Sequence, residues 1–293
     1  MTRTITSTSN PRIIDARKLS QRKHRTRQGR FAAEGLQVLG MAVEAMASTE
    51  GAAHIRPDVV FDCETLFTTD TAPRIRSALE KAGAEVIHVS QRVLESLSDR
   101  SHSQGLVATF SIEALLQSLD PLLLGASEDP SLLLVLDRPQ YPGNIGTLIR
   151  TADAVGAIAV VVIEPAGDPF DPKCIRATMG SVFAVPLVRM HDAEQLATWS
   201  HAGIRWVAAD LASGESVWEG KPLRGSIGLI LGNEGEGVQD ALRSLSPRSV
   251  LLPQRGHAES LNVSVAGGVL MYEWMRVNQL ASSADGFPST RDE

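Results

Sequence analysis

Cysteine is almost missing from this chain of 293 residues: Cys63 and Cys174 are the only two. Two residues so far apart in sequence exclude a disulfide framework and a cysteine zinc site, and they read as buried or half-buried thiols. No apolar run reaches the length of a membrane span. The polar N-terminus contains nothing resembling the apolar core of a signal peptide, so a cytoplasmic protein is expected, with no membrane partner. Internal repeats are absent. So is a G-x-G-x-x-G turn opening a helix with an acid about 20 residues on, which sets aside a nicotinamide enzyme. What remains is ordinary in bulk: 43% hydrophobic residues, enough for real cores, in a length comfortable for two domains.

Charge is unevenly placed. The net charge is −6, yet residues 1–30 hold nine Lys or Arg against the single acid Asp15. The dense part contains Arg17, Lys18, Arg22, Lys23, Arg25, Arg27 and Arg30. A solvated helix face and a phosphate-contacting patch both fit such a run.

The periodicity predicts a helix over Pro11–Lys23, then Phe31–Gly35 leading into a second helix bearing Leu36, Leu39, Val43 and Met46. Short strands are expected at 59–61, 86–89 and 105–110, with helices at 73–82, ended by Gly83, and at 91–97. Alternation of this kind makes a small α/β domain over 1–111. Residues 112–130 read as a linker, helical up to Leu124. A second domain over 131–280 starts at Leu132–Leu136. Further strands are expected at 157–163, 183–188, 204–209, 227–231 and 250–252, mostly solid apolar runs as in a parallel sheet buried on both faces. Helices fit at 145–155, 193–202, 238–245 and 261–280. Residues 281–293 are polar and are expected to be disordered.

Three segments of the second domain place glycine or lone polar residues just beyond apolar strands, where parallel sheets bind ligands. The first is Asn144-Ile-Gly-Thr-Leu-Ile-Arg150. Asn144 is either a helix N-cap or a site residue. Arg150 is either an exposed helical arginine or a site residue reaching back over six positions. The second is Leu231-Gly-Asn-Glu-Gly-Glu-Gly237. Its glycines allow close ligand approach, while Asn233 and Glu234 offer polar side chains. Acids among the glycines disfavour a phosphate cradle and suit a cofactor held by main-chain contacts. The third joins Leu252-Pro253 to Glu259-Ser-Leu-Asn262, where Ser260 can cap the last helix. Gly267 and Gly268 lie inside that helix at a cost in helix propensity, which points to close packing.

Together the three segments resemble the signature motifs of the SpoU/TrmH family, in the SPOUT superfamily of RNA ribose 2′-O-methyltransferases. Asp137-Arg-Pro, Asp171-Pro-Lys and Gly180-Ser add to the likeness. Asn10-Pro-Arg12, Arg30-Phe31, Glu34-Gly35 and Gln104–Ala108 resemble the family's RNA-binding accessory domain, which is L30e-like. The resemblance implies an α/β fold: a mainly parallel sheet closed by a trefoil knot, which sequence pattern would never predict because connections are normally unknotted. It also implies S-adenosylmethionine as cofactor, held near Ala209, Leu231, Gly232, Asn233, Gly235, Leu252, Pro253 and Leu261. RNA is the implied partner, ribosomal RNA ahead of transfer RNA, and a homodimer through the second domain, with the apolar last helix as a suitable surface, is implied too.

Under this resemblance a ribose 2′-hydroxyl attacks the sulfonium methyl group. Activation falls to Arg150, although an arginine of pKa above about 12 is a poor base. It would clamp a phosphate and stabilise the forming alkoxide. Asn144 would orient Arg150 or the ribose, Glu234 would bind either, and Ser260 and Asn262 would line the pocket. A sulfonium is already a good leaving group, so no metal is expected. Two rivals stay open: an RNA-binding protein of this fold without catalysis, and a transfer RNA enzyme. Housekeeping modification and ribosomal antibiotic resistance are both compatible with the motifs.

Overall fold

The computed structural model describes residues 4–48, 54–98, 103–117, 129–199, 204–211 and 214–278. The expected disordered tail, most of the linker and the far ends of the helices expected at 193–202 and 261–280 lie outside the described residues.

The N-terminal part carries α1 (Pro11–Arg17), α2 (Arg22–Gln28), β1 (Arg30–Glu34), α3 (Leu36–Ala47), β2 (Pro57–Asp62), α4 (Thr71–Lys81), β3 (Glu85–His88), α5 (Gln91–Glu95) and β4 (Leu106–Ser111). Its sheet runs β1-β4-β2-β3, with β2 and β3 parallel and the other pairs antiparallel. Two expectations are corrected. The single helix over 11–23 is two helices separated by a 3-10 turn at Lys18–Ser20, with Leu19 buried at the bend. Residues 30–34, expected only as the stretch leading into the second helix, do lead into α3 but form a strand on the way, alternating between half-buried and buried side chains so that Phe31 and Ala33 enter the core.

The C-terminal part follows a short α6 (Ile112–Leu115). It carries β5 (Leu132–Asp137), α7 (Pro142–Ala154), β6 (Ala159–Ile163), α8 (Pro172–Thr178), β7 (Leu187–Met190), α9 (Gln195–Thr198), β8 (Arg205–Ala209), β9 (Glu215–Ser216), β10 (Ile227–Leu231), α10 (Asp240–Leu245), β11 (Arg248–Leu251) and α11 (Val263–Val277). The sheet order is β7-β6-β5-β10-β8-β11-β9, and every pairing is parallel. The chain steps inward from β8 to β10, then back out past β8 to β11. β5 and β6 are buried along their whole length, with alternate residues facing two separate apolar clusters, which is why their sequences are solid apolar runs. The strand expected from Phe183 begins only at Leu187, because Ser181–Phe183 forms a 3-10 turn.

The two parts share an apolar interior. Phe31 and Phe110 from the first pack with Phe170 and Phe183 from the second, at centroid separations of 4.8–6.1 Å. Each such pair contributes about 0.5–1.5 kcal/mol beyond area burial. α11 lies on α7 and β10: a Cβ at Gly267 would stand 2.5 Å from the Leu148 and Leu231 side chains, whereas Gly268 meets only Thr151, at 4.0 Å. Close packing therefore accounts for one of the two helical glycines. No helix among the described residues is long and apolar enough to cross a membrane. Both cysteines are buried and free, and burial, reinforced by Asp168 and Asp171, pushes the Cys174 thiol up.

Candidate active site

A cleft of about 1080 Å³ opens at the carboxyl ends of β8, β10 and β11. Its apolar wall includes Leu231, Val250, Leu252, Leu261, Ala266 and Leu270; its polar lining includes Asn144, Asp210, Asn233, Glu234, Ser260 and Asn262.

The three sequence segments are joined there by hydrogen bonds. Asn233 and Gly237 exchange backbone bonds of 3.0 Å in both directions, making a tight loop after β10. The Asn233 Oδ1 accepts from the Gly235 and Glu236 amides at 2.8 and 3.0 Å, and its Nδ2 donates to the Arg138 carbonyl at 2.8 Å. Glu234 is thereby turned toward the start of α7. Its carboxylate accepts from the Gln140 and Tyr141 amides at 3.0 and 3.4 Å and from Asn144 Nδ2 at 3.0 Å. Burial pushes the Glu234 carboxyl up, but these donors outweigh it and hold it below its ordinary value. Asn262 Nδ2 in turn donates to Asn144 Oδ1 at 3.1 Å.

Beneath the site Asp137 is fully buried. It accepts from the Gln239 amide at 2.7 Å, from Gln239 Nε2 at 2.6 Å and from Arg138 Nε at 3.0 Å. This ties the end of β5 to the start of α10, and the two loops around the cleft cannot move independently without exposing a buried carboxylate.

Several expected roles change. Asn144 is not a cap: Pro142 begins α7, Tyr141 occupies the cap position, and the Asn144 side chain is spent on Glu234 and Asn262. Ser260 lines the cleft but does not cap α11, because Asn262 does so through the Ser264 amide. Glu234 bonds Asn144 and the loop backbone, not Arg150. Ala209, Leu231, Gly232, Asn233, Gly235, Leu252 and Leu261 all line the cleft. Pro253 is exposed and outside the lining, and so is Arg150, which projects from an exposed position on α7. Asp210 and Lys173, both in the lining, were missed. Asp210 follows the singled-out Ala209 and pairs with Arg243, so the signal for it was its neighbour.

The basic N-terminal stretch divides in two. Arg25 is buried and leaves the surface patch altogether. Its Nε bonds Asp168 at 2.8 Å, one terminal nitrogen reaches Asp168 and Asp171 at 2.7 and 3.3 Å, and the other donates to the Leu19 carbonyl at 2.8 Å. The expectation of RNA contact is corrected there, since a buried guanidinium enclosed by two carboxylates is out of reach of a phosphate. Arg22 bonds the Ala166 carbonyl, Arg30 pairs with Asp58, and Lys18 lies 3.6 Å from Asp15. Arg17, Lys23 and Arg27 are exposed, and Lys23 and Arg27 stand one turn apart on the same face of α2. Their field reaches His24, held below its ordinary value by burial first and then by Arg27, Lys23 and Lys18.

Residues 131–272 match the SpoU rRNA Methylase family, and residues 10–108 match the MRM3-like substrate binding domain. The chain is 32% identical to an uncharacterized tRNA/rRNA methyltransferase of Synechocystis, covering 96% of each chain.

The protein belongs to the SpoU methylase family.

It is also 32% identical to the 23S rRNA (guanosine(2553)-2′-O)-methyltransferase RlmP of Bacillus subtilis, covering 92% of this chain and 97% of that one. The fold superposes on a crystal structure of an AdoMet-bound rRNA methyltransferase from Sinorhizobium meliloti with a TM-score of 0.81 at 30% identity, covering 96% of this SpoU chain and 99% of the other.

Proposed function

We infer that this protein methylates a ribose 2′-hydroxyl of RNA with S-adenosylmethionine, and that its substrate is 23S ribosomal RNA. The observation carrying this is the hydrogen-bonded sequence Asn262–Asn144–Glu234, which unites three motifs beside a cleft of cofactor size in a member of this family. The cleft suits S-adenosylmethionine: aliphatic walls for the adenosine and backbone groups of 209–211, 231–235 and 250–252 within reach of its polar edges. When bound, the cofactor supplies an electrophilic methyl group.

The chain's own residues orient the attack. Asn144, locked between Glu234 and Asn262, presents an amide whose direction is set before RNA arrives, and such positioning supplies much of the acceleration. Glu234 keeps its charge and acts on Asn144; a carboxylate held below its ordinary value is a weak base. Arg150 holds a phosphate of the RNA and stabilises the forming alkoxide from its place about 9 Å along α7 from Asn144. Residues 1–111 present Arg17, Lys23 and Arg27 to the RNA backbone, while residues 131–280 carry the chemistry.

Pairing into a homodimer belongs to the same reading. Val265, Val269 and Tyr272 form an exposed stripe on α11, with Leu261 just before the helix and Trp218 also exposed, and large apolar patches of this kind mark interfaces. The trefoil knot belongs to it too, given the inward and outward passage of the chain around β8. In bacteria an rRNA enzyme of this kind works in the cytoplasm, and the same place is proposed for this one.

The test is transfer of labelled methyl groups to 23S ribosomal RNA and, separately, to transfer RNA, followed by nucleoside analysis. A ribose-methylated nucleoside from 23S RNA is expected. Methylation of transfer RNA alone would move the substrate, and cofactor binding without transfer to any RNA would leave the non-catalytic reading. Light scattering should give twice the chain mass, and Tyr272→Glu should halve it.

A further inference from the structure

The cleft has an acidic lining. Asp210, Glu234 and Glu259 all contribute to it, and Lys173 is the one Lys or Arg among the lining residues. An RNA strand entering such a cleft brings negative charge toward carboxylates, so a cation in the lining favours close approach.

The way Lys173 arrives there is built into the packing. α7 and α8 touch where Gly146 faces α8: a Cβ at Gly146 would stand 2.4 Å from the Cys174 carbonyl oxygen and 2.7 Å from the Ala177 Cβ. Only a glycine allows that approach, and it brings the residue before Cys174 alongside Tyr141–Asn144. The backbone of Lys173 is pinned as well. Its amide donates to Asp171 Oδ1 at 3.0 Å, and the other Asp171 oxygen is held by Arg25 at 3.3 Å. The Asp171 carboxylate is therefore committed to the helix cap and to the N-terminal part. The Lys173 side chain is exposed.

We propose that Lys173 holds a phosphate of the RNA beside the nucleotide being methylated. A compact ammonium with three donors on a flexible stem meets a phosphate from many angles as a point charge. The proposal rests on the RNA methyltransferase reading above. It makes the Arg25–Asp171 pair a positioning device that places the N-terminal part, which carries the basic patch, and the cleft lysine in one frame.

The experiment uses the full chain as wild type, Lys173→Met and Lys173→Arg, with 23S RNA as substrate. RNA affinity is read by filter binding and by KM, each across a salt series, and S-adenosylmethionine affinity is read separately. Lys173→Met should raise the RNA Kd and KM roughly tenfold at moderate salt. It should flatten the log–log salt dependence by about 0.7–0.9, the loss of one phosphate contact. It should leave cofactor affinity unchanged, and Lys173→Arg should recover most of the RNA affinity. Wild-type RNA affinity and salt slope in Lys173→Met overturn the proposal. Weakened cofactor binding with an unchanged salt slope also overturns it, assigning the lysine to the cofactor carboxylate. Failure of the wild type to methylate any RNA counts against the underlying function, while filter binding still decides Lys173.

Discussion

Asn262 reaches across 118 residues of sequence to donate its side-chain amide to Asn144 Oδ1 at 3.1 Å. The same residue caps α11 through the Ser264 amide, so one side chain both starts the last helix and orients the amide in the site. Asn144 has in turn given its own donor to Glu234.

A double-mutant cycle should expose that coupling. Asn144→Ala and Asn262→Ala are each expected to lower kcat at least tenfold. The double variant should be little worse than the poorer single one, with an interaction energy of about 0.5–3 kcal/mol. Initial rates at saturating cofactor measure this; simple additivity would mean the two amides act independently.

Arg25 and the lysine–arginine pair near it should behave in opposite ways. Arg25→Met leaves Asp168 and Asp171 without their buried cation and is expected to destabilise the protein by about 3–5 kcal/mol, read by urea unfolding. Lys23→Ala and Arg27→Ala should leave stability within about 0.5 kcal/mol and weaken RNA binding at low salt, each flattening the salt dependence by about 0.7–0.9.

The pH dependence of Glu234 has a fixed sign. Its folded pKa lies below the ordinary value, so its stabilisation is fully present above the unfolded pKa of about 4.3. That contribution fades as pH falls through the lower folded value. The stability gap between wild type and Glu234→Gln should therefore stay constant from pH 8 to about pH 5.5 and close only in more acid solution. Thermal melts of the two proteins across that range check it.

Adjacent glycines of α11 give a paired test. Helix propensity alone favours alanine at both by about 1 kcal/mol. Gly267→Ala drives a methyl into Leu148 and Leu231 and is expected to cost about 1–3 kcal/mol, weakening cofactor binding because Leu231 lines the cleft. Gly268→Ala has room and should be neutral or stabilising. Melting temperature and cofactor titration separate the two.

Solid apolar runs such as Leu132–Leu136 and Ile227–Leu231 announced the buried parallel sheet, because strands covered on both faces have no polar positions to confuse the pattern. The motif residues were legible as a group for the same local reason: they stand where those runs stop. Partnership was not legible. Arg25 looks like its neighbours until Asp168 and Asp171 arrive from far along the chain, and Asn144 looks like a cap until Glu234 and Asn262 claim it. β1 was missed because Ala32 and Ala33 carry little strand preference, and only pairing with β4 makes that segment extended. The bend at Lys18–Ser20 has no proline or glycine to mark it; it is set by burying Leu19 and by the Arg25 bond to its carbonyl.

The position of β10 has a consequence for how the molecule comes together. β5 and β8 are both made before β10, yet each must leave one edge unpaired until β10 enters between them. During synthesis these edges, and the other edge of β8 that awaits β11, therefore stand open, a state prone to wrong pairing, and contacts so distant in sequence form slowly. The cleft, walled by the ends of β10, β11 and α11, is then the last part of the protein to exist. A chain cut short before residue 227 would keep the basic helix and the β5–β7 half of the sheet, with open edges on β5 and β8 and no site.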